Sequence, residues 1–161
     1  MRDIVAFLKA RIDQDEATAG SPRTWKVDHH DCAEPEWDPC TEQPCPYAAA
    51  CAEGTCGHAS VVGSDGMRIY PEGGHTALEA EHIARHDPAR VLREVEAGRK
   101  LLDLYERAKS YRNQVFAQPE PRSISSEMRA VTQMMALEQV LKLRAAVYSD
   151  HPDYDQSWEA S

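Results

Sequence analysis

The chain has 161 residues, a hydrophobic fraction of 42% and a formal net charge of −9. This length accommodates one compact domain, or one domain with an insert. The acidic balance disfavours general binding to phosphate backbones, which requires clustered Lys and Arg side chains. The charge is unevenly distributed, because residues 1–80 carry fourteen acidic and six basic side chains whereas residues 81–149 carry nine and twelve.

The N-terminal residues predict an amphipathic helix rather than a targeting segment. Apolar side chains recur at helical spacing over residues 2–18, and Gly20 and Pro22 end the pattern. The apolar run is too short for a secretory signal, and no stretch approaches the roughly 20 apolar residues of a membrane span. These features predict a cytoplasmic protein, in which cysteines remain reduced.

All five cysteines follow this helix within a Pro-rich, acidic segment that has no hydrophobic period. Thiolates and imidazoles at this density typically hold a metal or form disulfides, and a reducing compartment favours the metal. Two Cys-x4-Cys pairs supply four thiolates for one tetrahedral zinc ion. The predicted zinc ligands are Cys40, Cys45, Cys51 and Cys56, with His30, Cys32 and His58 as alternates.

Zinc would explain how so polar a segment stays folded, because the free energy of metal binding becomes free energy of folding. The spacing leaves two alternatives open, an iron–sulfur cluster and cysteines without a metal. We predict a single domain, residues 1–161, in which residues 23–75 form a Cys/His-rich lobe. That lobe is inserted between the N-terminal helix and a helical half.

The remaining elements are one hairpin and three helices. The apolar runs that flank the turn GSDG predict a short β-hairpin near residues 59–70, with Gly66 at positive φ. Helices are predicted near 76–86, 88–116 and 125–148. Thr76 and Glu79 form a capping box for the first, and Asp87 precedes a proline at the start of the second. The predicted fold is therefore mainly α, with about four helices, a short β-hairpin and the irregular lobe.

Helical spacing also predicts which side chains form the core. The N-terminal helix is expected to pack on the two long helices, and the C-terminal tail to dock through Tyr154 and Trp158. Met134 and Met135, together with Met128, could form an adaptable binding surface. An ordinary core stripe is the favoured interpretation of these methionines. The stripe predicted for the last helix is Met128, Val131, Met135, Val140, Leu141 and Tyr148.

Histidines outside the cysteine segment offer a second possible metal site. His82 and His86 lie four residues apart on a predicted helix, and Glu79 lies one turn earlier. This spacing can place two imidazoles on one metal, but no glutamate follows His82 where a general base would be. A helix end, in which His86 packs or caps beside its neighbours, is the favoured interpretation, and His75 is attributed to a turn.

The central helix carries eight basic residues between positions 85 and 112. Such a set is compatible with a nucleic-acid face. Acidic residues are interleaved with it at spacings of three and four, which favours ion pairs along a solvated helix.

Three strings of the sequence carry a resemblance to a known family: DIVAFLKARIDQDE, HIARHDPARVLREVEAGRKLLDLY and AAVYSDHPDYDQSW. Together they cover about half of the chain, and they resemble a family of small uncharacterised proteins from actinobacteria and their phages. The family is a domain of unknown function. The resemblance therefore implies a host group and a cytosolic setting, and it transfers no catalytic residues.

The sequence favours a non-catalytic accessory or regulatory interaction protein with a zinc-stapled lobe, a protein partner and no membrane association. An enzyme is disfavoured because the chain has no Gly-rich phosphate loop, no G-x-S-x-G elbow and no cysteine in an activating context. Two alternatives remain. One is a nucleic-acid-related factor that binds through residues 85–112 or mimics DNA with its acidic surface. The other is a zinc-dependent enzyme with an open coordination position.

Overall fold

The structure is a computed structural model that describes residues 3–29, 58–69, 75–121 and 123–159. Within these residues the fold is mainly helical, as the sequence predicts. The helices are α1 (Ile4–Ala19), α2 (Ala77–Arg85), α3 (Pro88–Ala117) and α4 (Ile124–Ala145). The strands are β1 (Trp25–His29), β2 (His58–Gly63), β3 (Arg68–Ile69) and β4 (His75–Thr76). Short 3₁₀ turns follow at Ala146–Tyr148 and Gln156–Trp158.

The chain divides into two compact units. One comprises Met1–Thr18 and Leu92–Ser161, and we call it the helical unit. The other comprises Ala19–Val91, and we call it the sheet unit. The prediction that residues 1–161 form a single domain stays a prediction.

The core of the helical unit joins α1, α3 and α4. Leu8 of α1 and Leu141 of α4 are 1% and 0% exposed and belong to one apolar cluster. Leu101 and Leu102 of α3 pack against the same cluster. The predicted packing of the N-terminal helix on both long helices is therefore confirmed, and Asp3 begins α1 by accepting from the backbone N–H of Val5 at 2.9 Å.

The C-terminal tail docks onto this core through its aromatic residues, as predicted. Tyr154 and Trp158 are buried, and their ring centroids lie 6.2 and 5.0 Å from that of Phe7. The Phe7–Tyr154 pair has the edge-on geometry that aromatic quadrupoles favour. His151 also meets Phe7 edge-on and contacts the Arg11 guanidinium.

The sequence prediction for the buried face of α4 is largely wrong. Met128 and Met135 are 65% and 61% exposed, whereas Met134 is 7% exposed. Of the predicted stripe, Leu141 is fully buried, and Tyr148, beyond the end of α4, is partly buried against the core. The predicted stripe residues Val131 and Val140 are also exposed. Periodicity selects the wrong stripe because α4 carries apolar side chains on two faces, and spacing alone does not say which of them meets the bundle.

A glycine allows α1 and α3 to approach closely. A Cβ atom at Gly98 of α3 would lie only 2.8 Å from the Cδ1 atom of Ile12, which is buried. Glycine costs about 1 kcal/mol relative to alanine inside a helix. Close packing against Ile12 explains why α3 accepts it.

The sheet unit is built around β2. Strand β1 pairs with it antiparallel from Trp25↔Gly63 to His29↔Ala59, and β3 and β4 also pair with it. The hairpin prediction is confirmed by β2 and β3, and Gly66 in their turn has φ +80°. Strand β1 corrects the prediction of irregular structure after residue 23. Its alternation of apolar Trp25 and Val27 with polar residues is too short to stand out beside the Pro-rich run.

Helix α2 covers one face of this sheet. Ala80 is 0% exposed and shares a cluster with Ala59 and Val61 of β2. Trp25, Val27 and Ile83 pack around that cluster. The first turn of α3 is capped by Asp87, as predicted, because its Oδ1 accepts from the Arg90 N–H at 2.6 Å.

Candidate metal-binding segment

The strand pairing of the sheet unit fixes the two points between which all five cysteines lie. The chain leaves β1 at His29 and enters β2 at His58, and Cα pairing places His29 opposite Ala59. Directly paired residues of antiparallel strands have Cα atoms about 4.5–5.5 Å apart. Residues 30–57 therefore connect two backbone positions that are immediate neighbours.

The backbone of a third histidine lies at the same end of the sheet. On the other side of β2, His75 of β4 is the Cα partner of Ala59, and Thr76 is the partner of His58. The backbone positions of His29, His58 and His75 thus belong to three adjacent strands. The sequence gives no sign of this arrangement, because His29 and His75 are 46 positions apart.

Most of the predicted ligands lie outside the described residues. These are Cys40, Cys45, Cys51 and Cys56 and the alternates His30 and Cys32. The remaining alternate, His58, is the first residue of β2. The ligand set therefore stays a prediction. The structure describes the two paired strands, β1 and β2, between which the cysteine segment lies.

Strand β1 also carries a polar cluster that the sequence analysis did not identify. Asp28 accepts from the Arg68 guanidinium at 2.7 Å, and the same side chain of Arg68 reaches the Ser60 hydroxyl at 3.3 Å. Ser60 is 1% exposed and is the Cα partner of Asp28. This cluster ties β3 to β1 across β2, so it stabilises the strand ends that lead into the cysteine segment.

The turn of the hairpin is held by Asp65. Its carboxylate accepts from the Met67 N–H at 3.1 Å and pairs with Arg23 at 3.0 Å. These two interactions, the backbone hydrogen bond first, lower the pKa of Asp65 below its ordinary value. The turn is thereby connected to the chain just before β1.

His82 of α2 and His86, the residue that follows the helix, lie side by side, with ring centroids 4.6 Å apart and both side chains exposed. The 4.6 Å separation is the geometry that the spacing of four residues predicts. Among the described residues, no group of three or more His, Cys, Asp or Glu side chains is arranged to hold a metal ion. In the part of the chain that the structure describes, these two histidines thus have no third side chain placed to bind a metal ion with them.

Two basic side chains of α3 form ion pairs along the helix, as the sequence predicts, and a third pairs with α1. Lys100 pairs with Glu96 at i,i+4 and Lys109 with Glu106 at i,i+3, with N–O distances of 2.6 and 3.7 Å. Arg99 meets Glu16 of α1 through both carboxylate oxygens, at 2.7 and 2.6 Å. That hydrogen bond is the main cause of the lowered pKa of Glu16. This part of α3 thus offers phosphate less positive charge than its composition suggests.

Fold and sequence together define the class of this protein. It is mainly helical, with a small antiparallel sheet, and a Cys-rich segment connects two paired strands of that sheet. The chain belongs to a family of unknown function, DUF6221, whose match covers residues 1–160. The predicted membership in a domain-of-unknown-function family is thereby confirmed. No curated protein and no solved structure matches the chain. Among the described residues, no helix has the length and apolar character needed to cross a membrane.

Proposed function

We propose that this chain is a non-catalytic interaction protein that presents a zinc-stapled acidic lobe on the end of its sheet. Zinc would be held by Cys40, Cys45, Cys51 and Cys56, with His30, Cys32 and His58 as alternate ligands. The observation that supports this proposal is the pairing of His29 with Ala59. It anchors both ends of the cysteine segment at adjacent backbone positions.

The anchoring matters because it lowers the cost of forming a metal site. Bringing together the ends of a long connection costs conformational entropy that grows with the logarithm of its length. The β1–β2 ladder already holds those ends together, so zinc binding has only to order residues between them. Four Cys ligands form the closed tetrahedral site that is typical of structural zinc.

The composition of the segment indicates what it would bind. Residues 30–57 contain six acidic side chains and no Lys or Arg. A lobe of this charge favours a partner protein with a positively charged surface, because opposite potentials accelerate association and disfavour wrong partners. Zinc thiolate chemistry also requires reduced cysteines, which supports the proposed cytoplasmic setting. The proposed actinobacterial or phage origin rests on the sequence resemblance alone.

The metal is tested first, with protein prepared under reducing conditions. We expect about one zinc ion per chain by elemental analysis, the stoichiometry of one closed site. Cys45→Ser should lower the zinc content and should increase amide hydrogen exchange in residues 28–58. Cys32→Ser is the matched control, because Cys32 is only an alternate ligand, and it should retain the metal. A preparation with neither zinc nor iron would contradict the site.

The interaction is tested with the zinc-loaded full chain by cross-linking and mass spectrometry in its native host. We expect a protein cross-linked to residues 30–57, with contacts that disappear in Cys45→Ser but persist in Cys32→Ser. Replacing Glu34, Glu36 and Asp38 by Lys should abolish the same cross-links without releasing zinc. Cross-links that survive this charge reversal would contradict an electrostatic docking surface.

A further inference from the structure

Helix α4 exposes an apolar seam that the core of the helical unit does not use. Its members follow one another at spacings of four, three and four residues, which aligns them on one side of a helix. They are Ile124, Met128, Val131 and Met135, with exposures of 77%, 65%, 37% and 61%. The buried face of the same helix comprises Ala130, Met134, Leu141 and Ala145.

This arrangement is unusual for a helix on the outside of a small bundle. Such a helix normally carries one apolar stripe toward the core and polar residues on its other side. The 4-3-4 spacing of the seam is the a/d pattern through which two helices associate. Two of its four members are methionines, whose flexible thioethers suit a contact surface between proteins.

We propose that this seam is a self-association surface, on which α4 of a second copy packs antiparallel. The charged residues of α4 favour this partner and this orientation. Continuing the a/d pattern leads to Glu138 and Lys142, which lie in line with the seam. A parallel pair would place each of them against the same charge of the other copy, which is unfavourable.

An antiparallel pair centred between Val131 and Met135 avoids these contacts. In that register Lys142 of each copy lies opposite Ile124 of the other, within one helical turn of Glu127. Two symmetry-related attractions between Lys142 and Glu127 would then flank the seam. This is the self-complementarity that an isologous two-fold contact requires.

The apolar area of the seam indicates how strongly two copies should associate. Fully burying one such side chain removes about 60–120 Å² of apolar surface, if 1.5–3 kcal/mol is divided by 25 cal/mol/Å². At 37–77% exposure the four together offer about 150–300 Å² per copy. Since interfaces are about 56–65% apolar, the contact would bury roughly 500–1,000 Å² in total, the range of weak and reversible complexes.

The test is the oligomeric state of the zinc-loaded full chain by sedimentation over a wide concentration range. We expect the mass to rise from the 18.0 kDa of one chain toward twice that value as concentration increases. Met128→Glu with Met135→Glu should keep the chain monomeric throughout. Both side chains are more than half exposed, so at a low concentration, where the parent is monomeric, the thermal melt of the double variant should match that of the parent.

Leu143→Glu supplies a matched control. Leu143 is on the same helix and is 61% exposed, but it lies about 100° around the helix from the line of the seam. This variant should dimerise like the parent. Loss of association in this variant as well, or a parent chain that is monomeric at every concentration, would overturn the proposal.

The antiparallel register has its own readout. Lys142→Glu should weaken the dimer, and combining it with Glu127→Lys should restore it, because the reversed charges again attract across the two-fold axis. A double variant that is weaker than either single one would contradict the register. This result is independent of zinc, since metal-free protein with an intact helical unit should give the same answer.

Discussion

The helical unit and the sheet unit differ in how much apolar surface their described residues bury. The helical unit has a cluster of large side chains that includes Leu8, Leu141 and Trp158, all at most 4% exposed. The buried members of the sheet cluster are Ala59, Val61 and Ala80. Two alanines and one valine remove far less apolar surface from water, so the sheet cluster provides less hydrophobic stabilisation.

The sheet unit compensates with local polar interactions. Asp87 caps α3, Asp65 holds the hairpin turn, and Asp28 pairs with Arg68. Such interactions specify geometry well but contribute only about 0.2–2 kcal/mol each, the partly exposed ion pair least. Among the described residues, the helical unit therefore relies more on apolar packing than the sheet unit does, and the proposed zinc ion would add a cross-link to the sheet unit.

The largest expected effect is therefore a cavity in the helical core. Leu141→Ala should lower the free energy of unfolding by about 2–5 kcal/mol, because Leu141 is fully buried between α1 and the aromatic tail. Chemical denaturation monitored by helical circular dichroism measures this loss. The control is Leu104→Ala, whose side chain is 51% exposed and whose replacement should change stability by less than about 0.5 kcal/mol. Equal effects at both positions would contradict the packing account.

The positions of the helices could be predicted from the sequence, because their signals are local. The boundaries of α3 follow from Asp87 and Pro88 at its start, and the α1 stripe contains Leu8 and Ile12, which are both buried. The turn at Gly66 is equally local. Each of these features depends on a few neighbouring residues whose side chains or φ angles have one favourable arrangement.

Features that depend on tertiary context could not be predicted in this way. Strand β1 becomes a strand through its pairing with β2, whose residues lie thirty or more positions after their partners in the chain. Which of the two apolar faces of α4 is buried depends on its packing against α1 and the C-terminal tail, and the spacing of its methionines does not reveal this. The density of cysteines predicts a metal. The sequence does not reveal that the cysteine segment begins and ends on two paired strands.

A smaller effect is expected at the helix cap of the sheet unit. Asp87→Ala should cost about 0.5–2 kcal/mol, because the Arg90 N–H loses its acceptor and the Trp25 N–H loses a longer contact of 3.4 Å. Equilibrium denaturation followed by tryptophan fluorescence measures the cost. Asp87→Asn retains an oxygen in the capping position and should cost less. If the asparagine variant were as unstable as the alanine variant, the cap would not be the source of the stabilisation.

The smallest effect is a pH dependence of the helical unit at alkaline pH. The hydroxyl of Tyr148 donates to Asp15 at 2.6 Å. Partial burial first, and then this hydrogen bond, raise the pKa of Tyr148 from 10.0 to about 12. Folding therefore favours the neutral phenol. Its contribution to stability is fully present below pH 10 and is lost as the pH rises toward 12.

The free energy of unfolding of the parent chain should thus decline between pH 10 and 12 more steeply than that of Tyr148→Phe. The phenylalanine variant has no ionisable group at this position, so only the other tyrosines and the lysines contribute to its slope. Asp15→Asn should give an intermediate slope, because an amide oxygen still accepts the hydrogen bond but the negative charge is gone. Denaturation midpoints measured at several alkaline pH values distinguish the three proteins. Identical slopes in all three would show that Tyr148 titrates without regard to Asp15, and that α1 and the end of α4 are joined by packing alone.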